Sequence, residues 1–221
     1  MLRVGLTGGL CSGKSAVAEM FRRRGAHVLH ADQLAHELMR PGQPVYEQVV
    51  NHFGGDIIQP DGAIDRRKLA ALAFEPGRIQ ELNRIVHPAV VKQQEAWMDE
   101  MAQRDARGIA MVEAALIVEA GVAKRFDKLV VVTSTPEQKI ERFAARSPDA
   151  DKEAARREAR RRIAAQLPDE DKVKVADHVI DNSGTLAATE RQVEKVFAEL
   201  KGLTTEAQRE VKKKQKKGRD L

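Results

Sequence analysis

Residues 8–15 read Gly-Gly-Leu-Cys-Ser-Gly-Lys-Ser, which sets glycines, a lysine and a serine at the spacing G-x-x-x-x-G-K-S. Each of these residue types has a task if the segment wraps a phosphate. Gly8 and Gly13 permit a tight turn whose successive amide N–H groups point into one concavity. Lys14 is long enough to reach the β- and γ-phosphates of a nucleotide, and the Ser15 hydroxyl is an oxygen ligand for Mg²⁺. A helix starting there adds the positive end of its dipole. With Gly9, Leu10, Cys11, Ser12 and Ala16 completing it, the run 8–16 is the expected site for the phosphates of a nucleotide.

Other side chains offer complementary chemistry. Asp32 follows a short apolar run, and a carboxylate there can orient an attacking hydroxyl and take its proton. The plainer reading of Asp32 is a cap on a helix over 33–39. Glu113 closes another apolar run, where an acid can sit near Mg²⁺ or its water shell; Glu119 lies a little beyond, and both also read as surface or capping acids. Lys139, Arg142 and Arg146 are spaced three and four apart, so they share one helix face. Such a stripe suits clamping of transferring phosphate charge, although charged stripes are commonly solvated faces. Arg160-Arg161-Arg162 is similar. His87, before Pro88 at an expected helix start, taken alone reads as structural. Cys11 is the only cysteine, which excludes internal disulfides and multi-cysteine metal sites and fits a reducing compartment. It reads as a small side chain filling the loop rather than a redox group.

These groups need a frame. The run Leu2–Thr7 predicts a strand leading into the loop, and Ala16, Val17, Met20 and Phe21 then recur at helical spacing before Arg22-Arg23-Arg24 and Gly25, a basic last turn and a stop. Further short strands are predicted at 27–30, 108–113, 128–133 and 178–181. Short β-branched runs separated by helices indicate a parallel sheet covered on both faces, with its ligand at the carboxyl ends of the strands. Thr135-Pro136-Glu137-Gln138 reads as a capping box with proline at the first helical position. Thr185 is the expected cap of a last helix whose apolar face includes Leu186, Val193, Val196, Phe197 and Leu200.

Two stretches interrupt the alternation. Residues 41–107, with turns at Pro41-Gly42, Gly54-Gly55, Pro60-Asp61-Gly62 and Pro76-Gly77, are too long for a crossover and read as a helical insertion. Residues 147–175 are mixed-charge and helical with few large apolar side chains, an arm expected to be mobile. The core is then 1–40, 108–146 and 176–200.

The formal charge of +5 is local. From Lys201 to Leu221 there are eight Lys or Arg and three acids, which accounts for all of it and leaves 30 basic and 30 acidic residues elsewhere. The end, 201–221, is expected to be a disordered solubilising tail, with weak contact to nucleic acid or another polyanion as the alternative. No apolar run reaches the length of a membrane span and the chain opens directly into a strand, so neither a transmembrane segment nor a signal peptide is expected, and the cytoplasm is the expected location.

The chain resembles the dephospho-coenzyme A kinases over about residues 2–200. The resemblance is carried by Leu6-Thr7-Gly8-Gly9 leading into Gly13-Lys14-Ser15; Ala31-Asp32 with Ala35; Asp65-Arg66 with Leu69 and Phe74; His87-Pro88; Arg142 and Arg146; Arg162-Ile163 with Gln166; and the run 176–184, Ala-Asp-His-Val-Ile-Asp-Asn-Ser-Gly. It implies an α/β P-loop kinase fold: a five-stranded parallel sheet with helices on both faces, a helical substrate-binding insertion and a helical lid. It further implies that Asp32 is the base beside a ribose 3′-hydroxyl and that Lys14, Arg142 and Arg146 act on ATP. Arg66, His87, Glu113 and Arg162 fall on the substrate side, with Ser15 holding Mg²⁺. The chain departs from the family pattern at His30, where an acid is usual, at Cys11, where glycine is usual, at Ala16, where threonine is usual, and at Ala115-Leu116-Ile117-Val118-Glu119.

The implied reaction is ATP-dependent phosphorylation of the 3′-hydroxyl of dephospho-coenzyme A, giving coenzyme A and ADP, by a monomer or small homo-oligomer. Two rivals remain: a nucleoside-monophosphate or other small-molecule kinase, and a nucleic-acid-associated factor holding ATP as a structural ligand. An Asn-Lys-x-Asp guanine-reading segment is missing, which disfavours a GTPase.

Overall fold

The computed structural model describes the backbone of residues 1–73, 77–146 and 151–217, and side chains as far as 205. Phe74, the Pro76 side of one predicted turn, and Ser147-Pro148 lie outside the described residues. The chain divides into two compact units, one of Met1–Leu29 with Glu100–Leu221 and one of His30–Asp99.

The first unit is built on five strands, β1 (Leu2–Gly8), β2 (His27–His30), β3 (Ile109–Glu113), β4 (Lys128–Thr133) and β5 (His178–Asp181), in the order β2-β3-β1-β4-β5. β1 pairs in parallel with both β3 (Leu6 opposite Glu113) and β4 (Gly8 opposite Val132), and β4 pairs in parallel with β5. The chain leaves β1 toward one edge of the sheet and β3 toward the other. The carboxyl end of β1 is therefore the switch point where open α/β sheets bind ligands.

Side-chain alternation explains why both faces are covered. Val4 and Leu6 of β1, Ile109 and Met111 of β3, and Val130 and Val132 of β4 point to one face, where they pack on Val17, Met20 and Phe21 of α1 (Lys14–Arg23) and Val193, Val196 and Leu200 of α9 (Leu186–Lys217). Leu129 and Val131 point the other way, onto Ile117 and Phe126. A Cβ on Gly5 would stand 2.9 Å from Phe126, so this layer approaches the sheet too closely for a larger residue. The remaining helices of this unit are α6 (Pro136–Ala145), α7 (Lys152–Ala164) and α8 (Asp169–Lys174).

The helix ends follow local chemistry, with one adjustment. Thr135 Oγ1 accepts from the Gln138 amide, but the Gln138 side chain donates to the Ser183 carbonyl instead of closing the box. Thr185 Oγ1 accepts from the Ala188 amide, as a cap should.

The second unit is helical: α2 (Ala31–Leu38), α3 (Pro44–Phe53), α4 (Arg66–Ala73) and α5 (Arg78–Arg104) as far as Asp99. Pro44 stands at the start of α3, and Val45, Val49 and Phe53, spaced by four, face a core shared with Ile57, Leu69 and Val86. Among the described residues no helix is long and apolar enough to cross a membrane.

Four sequence expectations change. The insertion begins near 30 rather than 41 because Leu34, Ala35 and Leu38 of α2 pack into the second core, and it ends near 99 because α5 runs on past the junction. His87-Pro88 does not start a helix but lies inside the 27-residue α5. There a proline removes one N–H donor while keeping a helical φ, and both residues are exposed. The tail is not disordered from 201: α9 continues to Lys217, Lys201 Nζ donates to the Arg107 carbonyl, Leu203 packs on the core and Thr204 is buried. Glu, Lys, Gln and Ala are strong helix formers, so a low-complexity basic run can still extend a helix anchored upstream. Leu186 is 64% exposed and stands off the apolar face of α9.

Candidate active site

The segment 8–16 forms a loop between β1 and α1. Gly8 ends the strand, the Ser12 amide donates to the Gly9 carbonyl at 3.2 Å, and Gly13 enters the left-handed region at φ 97° just before Lys14, Ser15 and Ala16 open the helix. Three glycines stand in tight places, Gly8 against backbone and Gly9 and Gly13 against the ends of side chains. A Cβ would lie 2.2 Å from the Val132 carbonyl oxygen at Gly8, 2.9 Å from Asp169 and Lys139 at Gly9, and 2.0 Å from the Asn182 amide nitrogen at Gly13. Cys11 also has positive φ, 53°. In that region a β-carbon costs about 1–2 kcal/mol.

Around this loop the first unit gathers charged and polar side chains. Lys14 Nζ folds back to donate to the carbonyls of Gly8 (3.0 Å) and Gly9 (2.9 Å). The Ser15 hydroxyl donates to Oε1 of Glu113 at 3.3 Å, and Glu113 is buried at the end of β3. Arg142 of α6 donates to the carbonyls of Cys11 (3.4 Å), Ser12 (3.3 Å) and Asn182 (2.9 Å). Arg146 reaches Cys11 Sγ at 3.8 Å. The amide group of Asn182 donates to the Ser12 carbonyl at 2.8 Å and is itself oriented by the Thr189 hydroxyl at 3.0 Å.

The basic stripe is therefore solvated only at its Arg146 end. Lys139 is buried and paired with Asp169 of α8, while Arg142 and Arg146 meet the loop. Gln166 and Asp169 lie in the segment beyond α7, and the Leu10 amide donates to Gln166 Oε1 at 2.8 Å.

Other candidates sit elsewhere. Arg162 lies over the Phe143 ring at 5.4 Å and donates to Glu158 at 2.7 Å. Arg161 and Arg162 together hold the Glu158 carboxyl down to about 2. Glu119 is exposed, as its surface reading expected, yet its Oε1 is 2.7 Å from the fully buried ammonium of Lys172.

Asp32, Arg66 and His87 belong to the second unit and are exposed. The N-cap of α2 is His30, and Asp32 falls in the first turn, so it is not the cap that its plainer reading required. One turn on, His36 is held below the usual imidazole value by burial and then by the charge of Arg66, with Asp32 acting in the opposite sense. Asp32, His36 and Arg66 thus share one neighbourhood.

Sequence reasoning gave no role to Asp169 or Thr189, and it quoted Gln166 and Asn182 only within the resemblance. Asn182 was findable, because it follows β5 at the same carboxyl edge where Glu113 closes β3. Asp169 and Lys172 carry no local signal, since each pairs with a residue at least 30 positions away.

The donor set fits a nucleotide triphosphate and its ion. First-turn amides of α1 lack intrahelical acceptors, the glycines clear the space, and a hydroxyl beside a carboxylate is hard-oxygen chemistry suited to Mg²⁺.

Comparison with known proteins agrees. The family model described as dephospho-CoA kinase matches residues 2–188. A dephospho-CoA kinase of Aquifex aeolicus is 43% identical over 201 residues, 90% of this chain and 98% of that protein. Among solved structures, TT1252 from Thermus thermophilus superposes with a TM-score of 0.72 at 32% identity, covering 90% of this chain and 97% of the other. A dephospho-CoA kinase from Campylobacter jejuni shares the fold, with a TM-score of 0.58 at 22% identity over 90% of this chain and 96% of its own. A phosphate loop flanked by Glu113, Arg142 and Asn182, in a chain matched over nearly its whole folded length, places this protein in the dephospho-CoA kinase family.

Proposed function

We propose that the chain transfers the γ-phosphoryl group of ATP to the ribose 3′-hydroxyl of dephospho-CoA, giving CoA and ADP. The observation that carries this reading is the convergence of Lys14, the Ser15–Glu113 pair and Arg142 on one loop, in a chain that the family model matches over residues 2–188.

In this reading the amides of 13–16 and Lys14 hold the β- and γ-phosphates. Lys14 exchanges its bonds to the Gly8 and Gly9 carbonyls for phosphate oxygens. Ser15 and Glu113 would hold Mg²⁺, Ser15 directly and Glu113 through the ion's water shell; when bound, the ion neutralises charge on the β- and γ-oxygens. The acceptor oxygen forms a bond to the γ-phosphorus as the bond from that phosphorus to the β–γ bridging oxygen breaks, and the hydroxyl proton passes to the carboxylate of Asp32. Arg66 and His87 serve the acceptor side. Arg142 and Arg146, joined by Arg162 when the α7–α8 lid closes, meet the charge that develops in transfer. Closure also excludes water, which would otherwise hydrolyse ATP. The protein does little covalent work; alignment and electrostatics supply the rate. We further infer that the enzyme works in the cytoplasm without a membrane or nucleic-acid partner.

The experiment is a substrate panel. The purified chain with ATP and Mg²⁺ is offered dephospho-CoA and then nucleoside monophosphates, and the panel is repeated on Asp32→Asn. Turnover confined to dephospho-CoA, lost in Asp32→Asn, is expected. Transfer to a nucleoside monophosphate instead would give the activity to the rival kinase class, and full turnover in Asp32→Asn would require another base.

A further inference from the structure

We propose that Gln166 is a positioning residue for the transfer: its side-chain carbonyl sets the outer limb of the phosphate loop, so the shape of the loop depends on the segment that follows α7. This rests on the kinase reading above.

The Leu10 amide donates to Gln166 Oε1 at 2.8 Å across 156 positions of sequence. Within the loop the amides divide into two sets. Those of residues 13–16 head the first turn of α1 and are the donors left for phosphate. The Leu10 amide belongs to the limb before the turn, and its acceptor comes from the distant α7–α8 segment.

Gln166 does not act alone. Three residues on, Asp169 pairs with buried Lys139 and stands 2.9 Å from the point where a Gly9 Cβ would be. One short stretch thus meets two consecutive loop residues: Gln166 accepts from the Leu10 amide, and Asp169 stands where a side chain at Gly9 would have to go. Gln166 and Asp169 also border a cleft of about 290 Å³ with Ser134, whose hydroxyl is buried and without a partner among the described residues. One side of this stretch therefore borders open space. A neutral amide suits this place: it accepts a hydrogen bond without setting a negative charge beside the phosphates, as glutamate would.

The test uses the full chain with Gln166→Met, which keeps length and removes the acceptor, and Gln166→Glu, which keeps the acceptor. Leu10 amide exchange is followed by NMR, with melting temperature and steady-state kinetics on ATP and dephospho-CoA. In Gln166→Met, Leu10 exchange is expected to quicken by about tenfold, the worth of one lost hydrogen bond. Its kcat should fall by roughly ten- to a hundredfold, the effect of a small misplacement of reacting groups, with KM for dephospho-CoA and melting temperature unchanged. Gln166→Glu should keep Leu10 exchange slow.

An unchanged kcat with a lowered melting temperature would reduce Gln166 to a structural residue and overturn the proposal. Unchanged Leu10 exchange in Gln166→Met would overturn it as well, and so would tighter ATP binding at undiminished kcat, which would make Gln166 a plug. If the parent chain transfers nothing to dephospho-CoA, the kinase reading fails by itself. The Leu10 exchange rate still decides between a latch, if Gln166→Met quickens it, and none, if it does not.

Discussion

The hydroxyl of Ser15 donates to Oε1 of Glu113 at 3.3 Å, joining the first helical turn after the phosphate loop to the end of β3. Glu113 is buried, so its charge acts in a low-dielectric setting and is aimed by that contact. Glu113→Gln keeps the size and removes the charge. The Mg²⁺ concentration giving half-maximal turnover should rise by about tenfold, equivalent to one charge-assisted interaction. A Mg²⁺ titration of initial rates checks this, and an unchanged midpoint would remove Glu113 from the ion's surroundings.

Arg142 bridges the two arms of the site, donating to Cys11 and Ser12 of the loop and to Asn182 after β5. Its guanidinium fork meets three carbonyls, which an ammonium cannot copy. Arg142→Ala should lower kcat by about 10³-fold, the scale of a phosphate-clamping arginine, while ATP affinity changes far less. Arg142→Lys should recover little. Equal turnover in mutant and parent would remove the clamp.

The Glu119–Lys172 pair concerns stability. Lys172 is fully buried and its ammonium faces Glu119 at 2.7 Å. Removing one partner leaves an uncompensated charge in the interior, so Glu119→Ala should cost about 3–5 kcal/mol, whereas Lys172→Met, which removes the charge, should cost clearly less. Urea unfolding curves read both. Equal losses would mean that the ammonium is not dependent on Glu119.

Acid sensitivity should trace in part to Asp177. Burial alone would raise its carboxyl pKa, but the Lys128 ammonium at 2.7 Å and the Leu129 amide at 2.8 Å outweigh that and hold it below 3.8. A carboxyl depressed in the folded state binds its proton more weakly there than in the unfolded chain. Its stabilisation is therefore complete above pH 3.8 and is lost as pH falls from there through the lower folded value. Asp177→Asn should be less stable than the parent at neutral pH, and the gap should narrow below that point in a series of melting curves. A constant gap would assign the loss to packing.

All five strands were legible because each is a short apolar run closed by turn or charged residues, and the loop was legible because few residue types fit its geometry. The edges of the insertion were not. Leu34, Ala35 and Leu38 give α2 an apolar stripe that fits either unit, and periodicity does not say which core receives it. Pro88 misled for a related reason: a proline reads as a helix boundary, yet on the exposed face of a 27-residue helix the loss of one backbone donor is absorbed. The roles of Lys139 and Lys172 were hidden because a charged residue in a helical pattern looks solvated until its distant partner, Asp169 or Glu119, is known.

The helices of 30–99 close on their own apolar centre, built from Val45, Val49, Phe53 and their neighbours, while the loop, Glu113, Arg142 and Asn182 all hang from the sheet. Under the proposed function, selection can therefore remodel what 30–99 presents to the acceptor while the loop that handles the donor stays intact. A phosphotransferase with a new alcohol substrate would then come from grafting beyond Asp32, between Leu38 and Glu100, so that the proposed base is kept.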